Sequence, residues 1–439
     1  MASFCNALFR LDENQTTVRR ELLAGVTTFM TMAYIVAVNP LILGDPGLPE
    51  NARMPMDGVM AATCLGSAVA CIVMGLVARY PFALAPGMGI NAYFAYVVAK
   101  KYGYEVALGA VFLAGVTFLI LTFVRIRQLI IDAIPPVLKH SVAAAIGLFI
   151  ALIGFQNAGL VVATPGPTMV TSFEKLTPGI LVAVFGLALM VALFSLRVRG
   201  AILIGIVAAT LLAFCLGVAK PPGRILAMPQ FSAFGHLDVR GALNVGLLEV
   251  VFAFLFVGMF DAVGTVVGLA DRAGYLRDGK LPRATQVLAA DATGTVVGSI
   301  LGTSTVTSYI ESAAGIEEGG RTGLTAIVVG ILFLGAMFLG PVVGVIPKQA
   351  TAPALIVVGA MMMRCIKDIA WDDPTETIPA FVVLAAMPFF YSIAQGIAMG
   401  FIFYLIAKIA AGKARQVHWL VYVLGALFIL RFVLLGHVT

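Results

Sequence analysis

Charge is what this chain has least of. Only 11% of its 439 residues are Asp, Glu, Lys or Arg, while 61% are hydrophobic. The mean hydropathy of +1.02 is that of a chain whose natural solvent is lipid. A long polar stretch able to bury a soluble core is also missing, so one integral membrane domain without a soluble appendage is expected. The five cysteines, Cys5, Cys64, Cys71, Cys215 and Cys365, form no CxxC pair and read as small buried hydrophobes. The four histidines, His140, His236, His418 and His437, are scattered with no second ligand at helical spacing, which argues against a metal site. There is no nucleophile-base pair and no cofactor motif, so neither an enzyme nor a resident cofactor is expected. The start, Met1 to Thr17, lacks a basic stretch followed by a short apolar core, so no cleaved signal is expected.

What is present is a succession of apolar spans. Hydropathy predicts them near residues 22–43, 57–78, 83–99, 105–124, 137–159, 177–196 and 200–219, then, after a polar link at 220–241, near 243–270, 284–301, 304–316, 321–345, 349–366, 377–391 and 392–411. A last apolar stretch, 416–436, carries Arg431 and is open between a further span, a half-helix and an interfacial segment. The fold class expected is an all-α polytopic membrane protein of fourteen segments. Seven spans in each half fit a tandem duplication whose second copy inserts inverted. Placing the N-terminus in the cytoplasm puts 19 Lys and Arg residues inside and 8 outside, so the net charge of +6 reads as topology and not as nucleic-acid binding.

Two short segments at corresponding places, the third of each half, are not ordinary helices. The first is Phe82-Ala83-Leu84-Ala85-Pro86-Gly87-Met88-Gly89-Ile90-Asn91-Ala92-Tyr93-Phe94; the second runs from Gly302 to Ile316. Pro86 has no amide donor, Gly87 and Gly89 free the backbone, and the β-branched residues of 303–307 favour extension. Each is expected to start extended and turn helical. Non-helical backbone at membrane depth needs partners, so the two should pair with each other around a polar site.

Two lone carboxylates mark the same place. Asp261 interrupts the apolar run 250–269, and Glu311 ends the Gly/Ser/Thr segment. An ionisable group at membrane depth costs at least about 2.5 kcal/mol and is rarely kept without a use. With exposed backbone groups they suit a small polar solute such as a planar heterocycle bearing N–H and C=O edges. The competing reading of Asp261 is a bond to Thr265 one turn on, and buried hydroxyls such as Ser304, Thr305, Thr307 and Ser308 often bond back to their own backbone. Asp372, Asp373 and Glu376 read as a solvated loop, and Gly264-x-x-x-Gly268 as a close helix contact.

At these residues the chain resembles the azaguanine-type (AzgA-like) purine permeases of the nucleobase cation symporter superfamily. The resemblance spans almost the whole length. It rests on Leu11-Asp12-Glu13-Asn14 with the run from Thr16 to Ile35, on Ala85-Pro86-Gly87-Met88-Gly89-Ile90-Asn91-Ala92-Tyr93-Phe94, and on Thr307-Ser308-Tyr309-Ile310-Glu311-Ser312-Ala313-Ala314-Gly315. It implies two inverted seven-segment repeats divided into a core and a gate. The divisions are a cytoplasmic segment 1–21, core 22–124, gate 137–219, core 243–345, gate 349–411, and the apolar segment 416–436. It implies uptake of purine bases (adenine, guanine or hypoxanthine) coupled to protons, with sodium not excluded, by alternating access in a cell membrane. A homodimer through the gate is a further implication, and transport of an inorganic anion or carboxylate, or a passive channel, is the alternative on the same architecture.

Carried over residue by residue, the resemblance makes Asp261 the acid of segment 8 and Glu311 that of segment 10, both contacting substrate and coupling protons. Asn91 becomes the polar residue of segment 3, beside the backbone of Met88, Gly89 and Ile90, with Thr27 or Thr28 from segment 1 nearby. Thr307, Ser308 and Thr265 complete the expected substrate-binding set. Many relatives carry a second acid where this chain has Gly258, which leaves its coupling open.

Overall fold

The computed structural model describes residues 6, 8–123, 134–163, 169–171, 176–243, 248–275 and 281–435. Arg125, Arg127, Lys175, Arg277 and Lys280 of the charge count, and residues 1–5 and 7 of the N-terminal segment, lie outside them. The spans appear as α1 (Val18–Leu43), α2 (Met56–Ala78), α3 (Met88–Tyr93), α4 (Tyr104–Phe123), α5 (Pro136–Asn157), α6 (Pro178–Ser195) and α7 (Ala201–Cys215). The second half supplies α8 (Leu248–Arg272), α9 (Ala284–Leu301), α10 (Ser312–Glu317), α11 (Gly323–Val343), α12 (Lys348–Met362), α13 (Pro374–Phe389) and α14 (Ile393–Ala410). Among the described residues, nine helices are long and apolar enough to cross a membrane. α3 and α10 are short because each follows a strand, β1 (Leu84–Pro86) and β4 (Val306–Ser308). Between α5 and α6 lies a hairpin of β2 (Val161–Ala163) and β3 (Met169–Thr171).

The stretch open at the sequence level is a helix, α15 (Trp419–Leu435). Phe428 packs edge-on to Phe252 of α8 and tilted on Phe401 of α14, ring centroids 5.7 and 5.6 Å away. Aromatic pairs at that spacing hold the helix against the bundle.

Helices sort into two packed groups. In one, α11 lies against α1 and α2, and α9 against α2 and α4; in the other, α12 lies against α5, α6 and α7, and α13 against α5 and α14. Without a hydrophobic drive between helices in lipid, close contact comes from small residues. At the α2–α11 crossing a Cβ on Gly323 would stand 2.0 Å from the Gly75 carbonyl oxygen, so only glycine fits. Gly264 and Gly268 are different: nothing lies within 4 Å of a Cβ on Gly264, and only the tip of Ile310, at 4.0 Å, near one on Gly268. The expected helix contact there is not made among the described residues.

A second expectation also changes. Asp373 caps α13 by accepting from Thr375 N at 2.9 Å and pairs with Lys413 Nζ at 2.8 Å, while Glu376 pairs with Lys408, whose side chain is 6% exposed. Asp373 and Glu376 thus tie the start of α13 to the C-terminal end of α14, while Asp372 is exposed as expected. The Lys413 ammonium holds the Asp373 carboxyl well below the ordinary carboxylate range.

Candidate functional site

β1 and β4 pair antiparallel, with Leu84 opposite Ser308, Ala85 opposite Thr307 and Pro86 opposite Val306. Every residue of both strands is buried. Pro86 takes its place because it only has to accept, and the pairing satisfies backbone that lipid could not. The flanks continue the ladder: Gly87 N donates to Thr305 O at 2.9 Å and Tyr309 N to Ala83 O at 2.9 Å. Tyr309 also donates its hydroxyl to Pro86 O. Helices α3 and α10 then start on either side of this ribbon, so the first free amides of α3 face the middle of the protein.

The two carboxylates singled out in sequence come together here. Glu311 stands immediately before α10, and its Oε1 accepts from the Tyr34 hydroxyl at 2.8 Å. Thr31, one turn earlier on α1, reaches the Glu311 carbonyl at 3.4 Å while donating mainly to Thr28 O at 2.7 Å. Asp261, in mid-α8, lies against the turn at Gly87: a Cβ there would be 3.5 Å from Asp261 Oδ2 and 3.0 Å from Thr307 Cγ2. Gly87 has extended backbone angles that any residue can adopt, φ −72° and ψ 117°, so glycine is needed for space and not for conformation. Tyr309, two residues before Glu311, donates to Pro86 O beside Gly87, so both acids flank the same ribbon. No hydrogen bond joins Asp261 to Thr265 among the described residues.

Other expected residues are distributed around this centre. Asn91 is fully buried; its Nδ2 donates to Asn39 Oδ1 at 2.7 Å and its Oδ1 accepts from Ser304. Asn39 in turn donates to Thr63 at 2.6 Å and Thr303 at 2.8 Å. Asn91 and Asn39 together therefore tie four segments, as a satisfied network can. Gly89 packs on α5, where a Cβ would meet Ile146 Cγ2 at 2.5 Å, and Met88 and Ile90 are buried beside it. Thr28 is buried with its hydroxyl against Gly315, and Thr27 is half-buried on α1. Thr307 Oγ1 is buried without a protein partner, and Ser308 donates to Asp291 Oδ1 at 2.8 Å.

Asp291 is the residue sequence reasoning passed over. It stands alone among Val287, Leu288, Ala289, Ala290 and Ala292, the same signal that exposes Asp261, and it is 1% exposed. One turn on, Thr295 Oγ1 donates to Val306 O at 2.9 Å and lies 3.2 Å from Val306 N. Asp291 and Thr295 thus fasten β4 to α9. Between Asp291, Gly258 and Thr307 a cavity of about 20 Å³ remains, enough for one water. Tyr34 and Thr31 were also missed, since nothing in sequence separates an aromatic late in a span from an interfacial anchor.

Paired breaks at mid-bundle, flanked by carboxylates and half-helix ends, are the architecture of an inverted-repeat membrane transporter. The chain belongs to the permease family Xan_ur_permease, whose model matches residues 19–399. It is 54% identical over 438 residues to a putative permease of Methanocaldococcus jannaschii, covering 99% of both chains. It is 44% identical to the adenine permease AdeP of Escherichia coli, over 97% of this chain and 95% of that one. The guanine/hypoxanthine permease PbuG of Bacillus subtilis is likewise 44% identical, with 97% and 99% covered. Among solved structures, the transmembrane domain of the cyanobacterial bicarbonate transporter BicA superposes with a TM-score of 0.65 at 14% identity, over 90% of this chain and 97% of that one. SLC26A9 gives 0.68 at 14% identity, over 90% and 66%. The fold of two inverted seven-segment repeats is therefore shared with these transporters, and the chain is a multi-pass membrane permease, not an enzyme.

Proposed function

We propose that this permease imports purine nucleobases, with the site between Asp261 and Glu311 as the place where the base is held. The single observation that carries this is the convergence of the two carboxylates on the paired breaks, Asp261 against Gly87 and Glu311 under the Tyr34 hydroxyl. Adenine and guanine/hypoxanthine permeases at 44% identity over nearly the whole chain support the same reading. Glu311 accepts from ring N–H groups of the base, and Asp261 orients it and exchanges the coupling proton. Burial in a low dielectric favours the neutral form of a carboxyl, which is what lets a mid-membrane acid take up and release a proton.

In this scheme α1–α4 and α8–α11 form the core that carries the site, and α5–α7 and α12–α14 the gate. Ile146 of α5 against Gly89 is the contact that opens and closes as core moves against gate. The N-terminus lies in the cytoplasm by the excess of basic residues on that side. A bicarbonate transporter shares the fold, yet an anion site should present positive charge. Among the described residues no Lys or Arg is paired with Asp261 or Glu311.

The test is uptake of labelled hypoxanthine by cells lacking their own purine permeases, with unlabelled adenine, guanine, xanthine, uracil and sulfate as competitors, with and without an uncoupler. Uncoupler-sensitive uptake blocked by purines alone is expected. Absence of purine uptake by correctly inserted protein, or competition by sulfate, overturns the assignment.

A further inference from the structure

On the face that carries the N-terminal segment, four arginines converge on one cavity of about 510 Å³. Arg10 comes from the N-terminal segment, Arg79 from the end of α2, Arg283 from the start of α9 and Arg321 from the start of α11. Among the described residues Glu13 is the one acid lining it, and it pairs with Arg10 at 3.4 Å. Among the described residues, Arg79, Arg283 and Arg321 have no carboxylate within ion-pair distance. Loop arginines on one membrane face set topology wherever they sit. That role asks for neither convergence on a cavity nor a fixed geometry.

Here the geometry is fixed, and at a cost. Three of the four arginines are left-handed, with φ of 54° at Arg10, 59° at Arg79 and 58° at Arg283, a region that an L side chain seldom enters. Six non-glycine residues do so among the described residues, and half of them line this one cavity. Strained backbone persists where surroundings over-determine it, and it concentrates at ligand sites. The Arg283 guanidinium lies 4.7 Å over the Tyr80 ring, which is also stacked on Phe82 at 5.2 Å and 11°. Tyr80 is itself anchored by donating to Pro282 O at 2.7 Å, and Tyr275 donates to Arg321 O at 3.0 Å. Tyr80 and Tyr275 thus hold the segments that carry Arg283 and Arg321 in position.

From this we infer a binding site for a phosphate-bearing anion, separate from the substrate site and independent of what that site carries. Guanidinium forks match phosphate oxygens two at a time, and several such forks set around one hollow give both charge and geometry for a phosphate ester. The volume exceeds what a bare phosphate fills, so an organic portion is accommodated as well. Such an ester comes from two sources, a soluble phosphorylated metabolite or a lipid headgroup.

Purified full-length protein in neutral detergent distinguishes them by calorimetric titration with inorganic phosphate, with adenosine 5′-monophosphate, and with short-chain phosphatidylglycerol against short-chain phosphatidylcholine. Saturable binding of at least one phosphate ligand other than phosphatidylcholine is expected. It should weaken about tenfold or more in the double variant Arg79→Gly and Arg283→Gly, where glycine adopts the left-handed backbone freely and the fold is kept. Binding of the nucleotide without the glycerol lipid marks a soluble ligand, and the reverse marks a headgroup. If wild-type protein binds none of them, or if the double variant binds as wild type does, the site is refuted. Should the double variant not yield folded protein, Arg283→Gln, which alters an exposed side chain, is read by the same titration and the same criteria.

Discussion

Tyr34 donates its hydroxyl to Glu311 Oε1 at 2.8 Å, joining the first span to the break in the tenth across 277 positions of sequence. The bond fixes one oxygen of the carboxylate. Tyr34→Phe should therefore loosen Glu311 without removing it. A hydrogen bond to a carboxylate is worth about 1.5–3 kcal/mol, so apparent substrate affinity should fall about tenfold or more while the protein still inserts and folds. Concentration-dependent uptake by the variant, beside its surface expression, checks this; an unchanged half-saturation point rejects the positioning role.

Glu311→Gln keeps the shape of the side chain and loses both its charge and one acceptor. If Glu311 accepts from ring N–H groups, Gln must present a donor to a donor. Accumulation should be abolished or cut by about a hundredfold in cells, with normal insertion. Normal uptake by inserted protein removes Glu311 from the mechanism.

Asp261→Asn tests the proton. Wild-type uptake should rise as the outside medium is acidified, because the proton is a co-substrate. The Asn variant cannot bind it, so residual uptake should be flat with pH and insensitive to an uncoupler, with the ranking of competing purines preserved. A pH profile identical to wild type assigns the proton to Glu311 or Asp291 instead.

Gly87→Ala places one methyl group 3.0 Å from the Thr307 methyl and 3.5 Å from Asp261 Oδ2. Its backbone would be unstrained, so the cost lies in crowding of the ribbon and of the carboxylate. Uptake should fall about tenfold while the melting temperature moves by only a few degrees. A large drop in melting temperature with unchanged specific transport would show that Gly87 matters to packing alone.

How much of this was legible in sequence depends on which force set each feature. The spans, the two broken segments and the pairing of the breaks follow from solvent: lipid demands apolar runs, and unpaired backbone at depth demands a partner. Asp261 and Glu311 stood out because charge is scarce there. Asp291 carried the same signal and was overlooked inside a run read only for length. The bonds of Asn91 to Asn39 and Ser304 were not legible, since an amide's partners depend on tertiary contacts. Tyr34 and the loss of contact at Gly264 were equally invisible, because helix rotation about its own axis decides both.

Glu21 shows how a buried acid can be purely structural. It stands at the start of α1, 0% exposed, and its carboxylate accepts from Arg321 N at 2.8 Å, Thr322 N at 3.3 Å, Thr325 N at 3.2 Å and Thr325 Oγ1 at 2.6 Å. It therefore caps α11 from another helix, neutralising the orphan amides and the positive end of that helix dipole. Glu21→Ala leaves these donors buried without an acceptor, at about 1–3 kcal/mol for each group left unsatisfied, so a total of about 3 kcal/mol or more is expected. Glu21→Gln keeps one acceptor oxygen and should lose roughly half of that. Melting temperatures of the purified variants in detergent should follow the order wild type, Gln, Ala. Transport per folded molecule should stay near wild type in both, which separates this carboxylate from Asp261 and Glu311: equal melting temperatures, or loss of transport in stably folded Gln protein, would place Glu21 in the transport cycle.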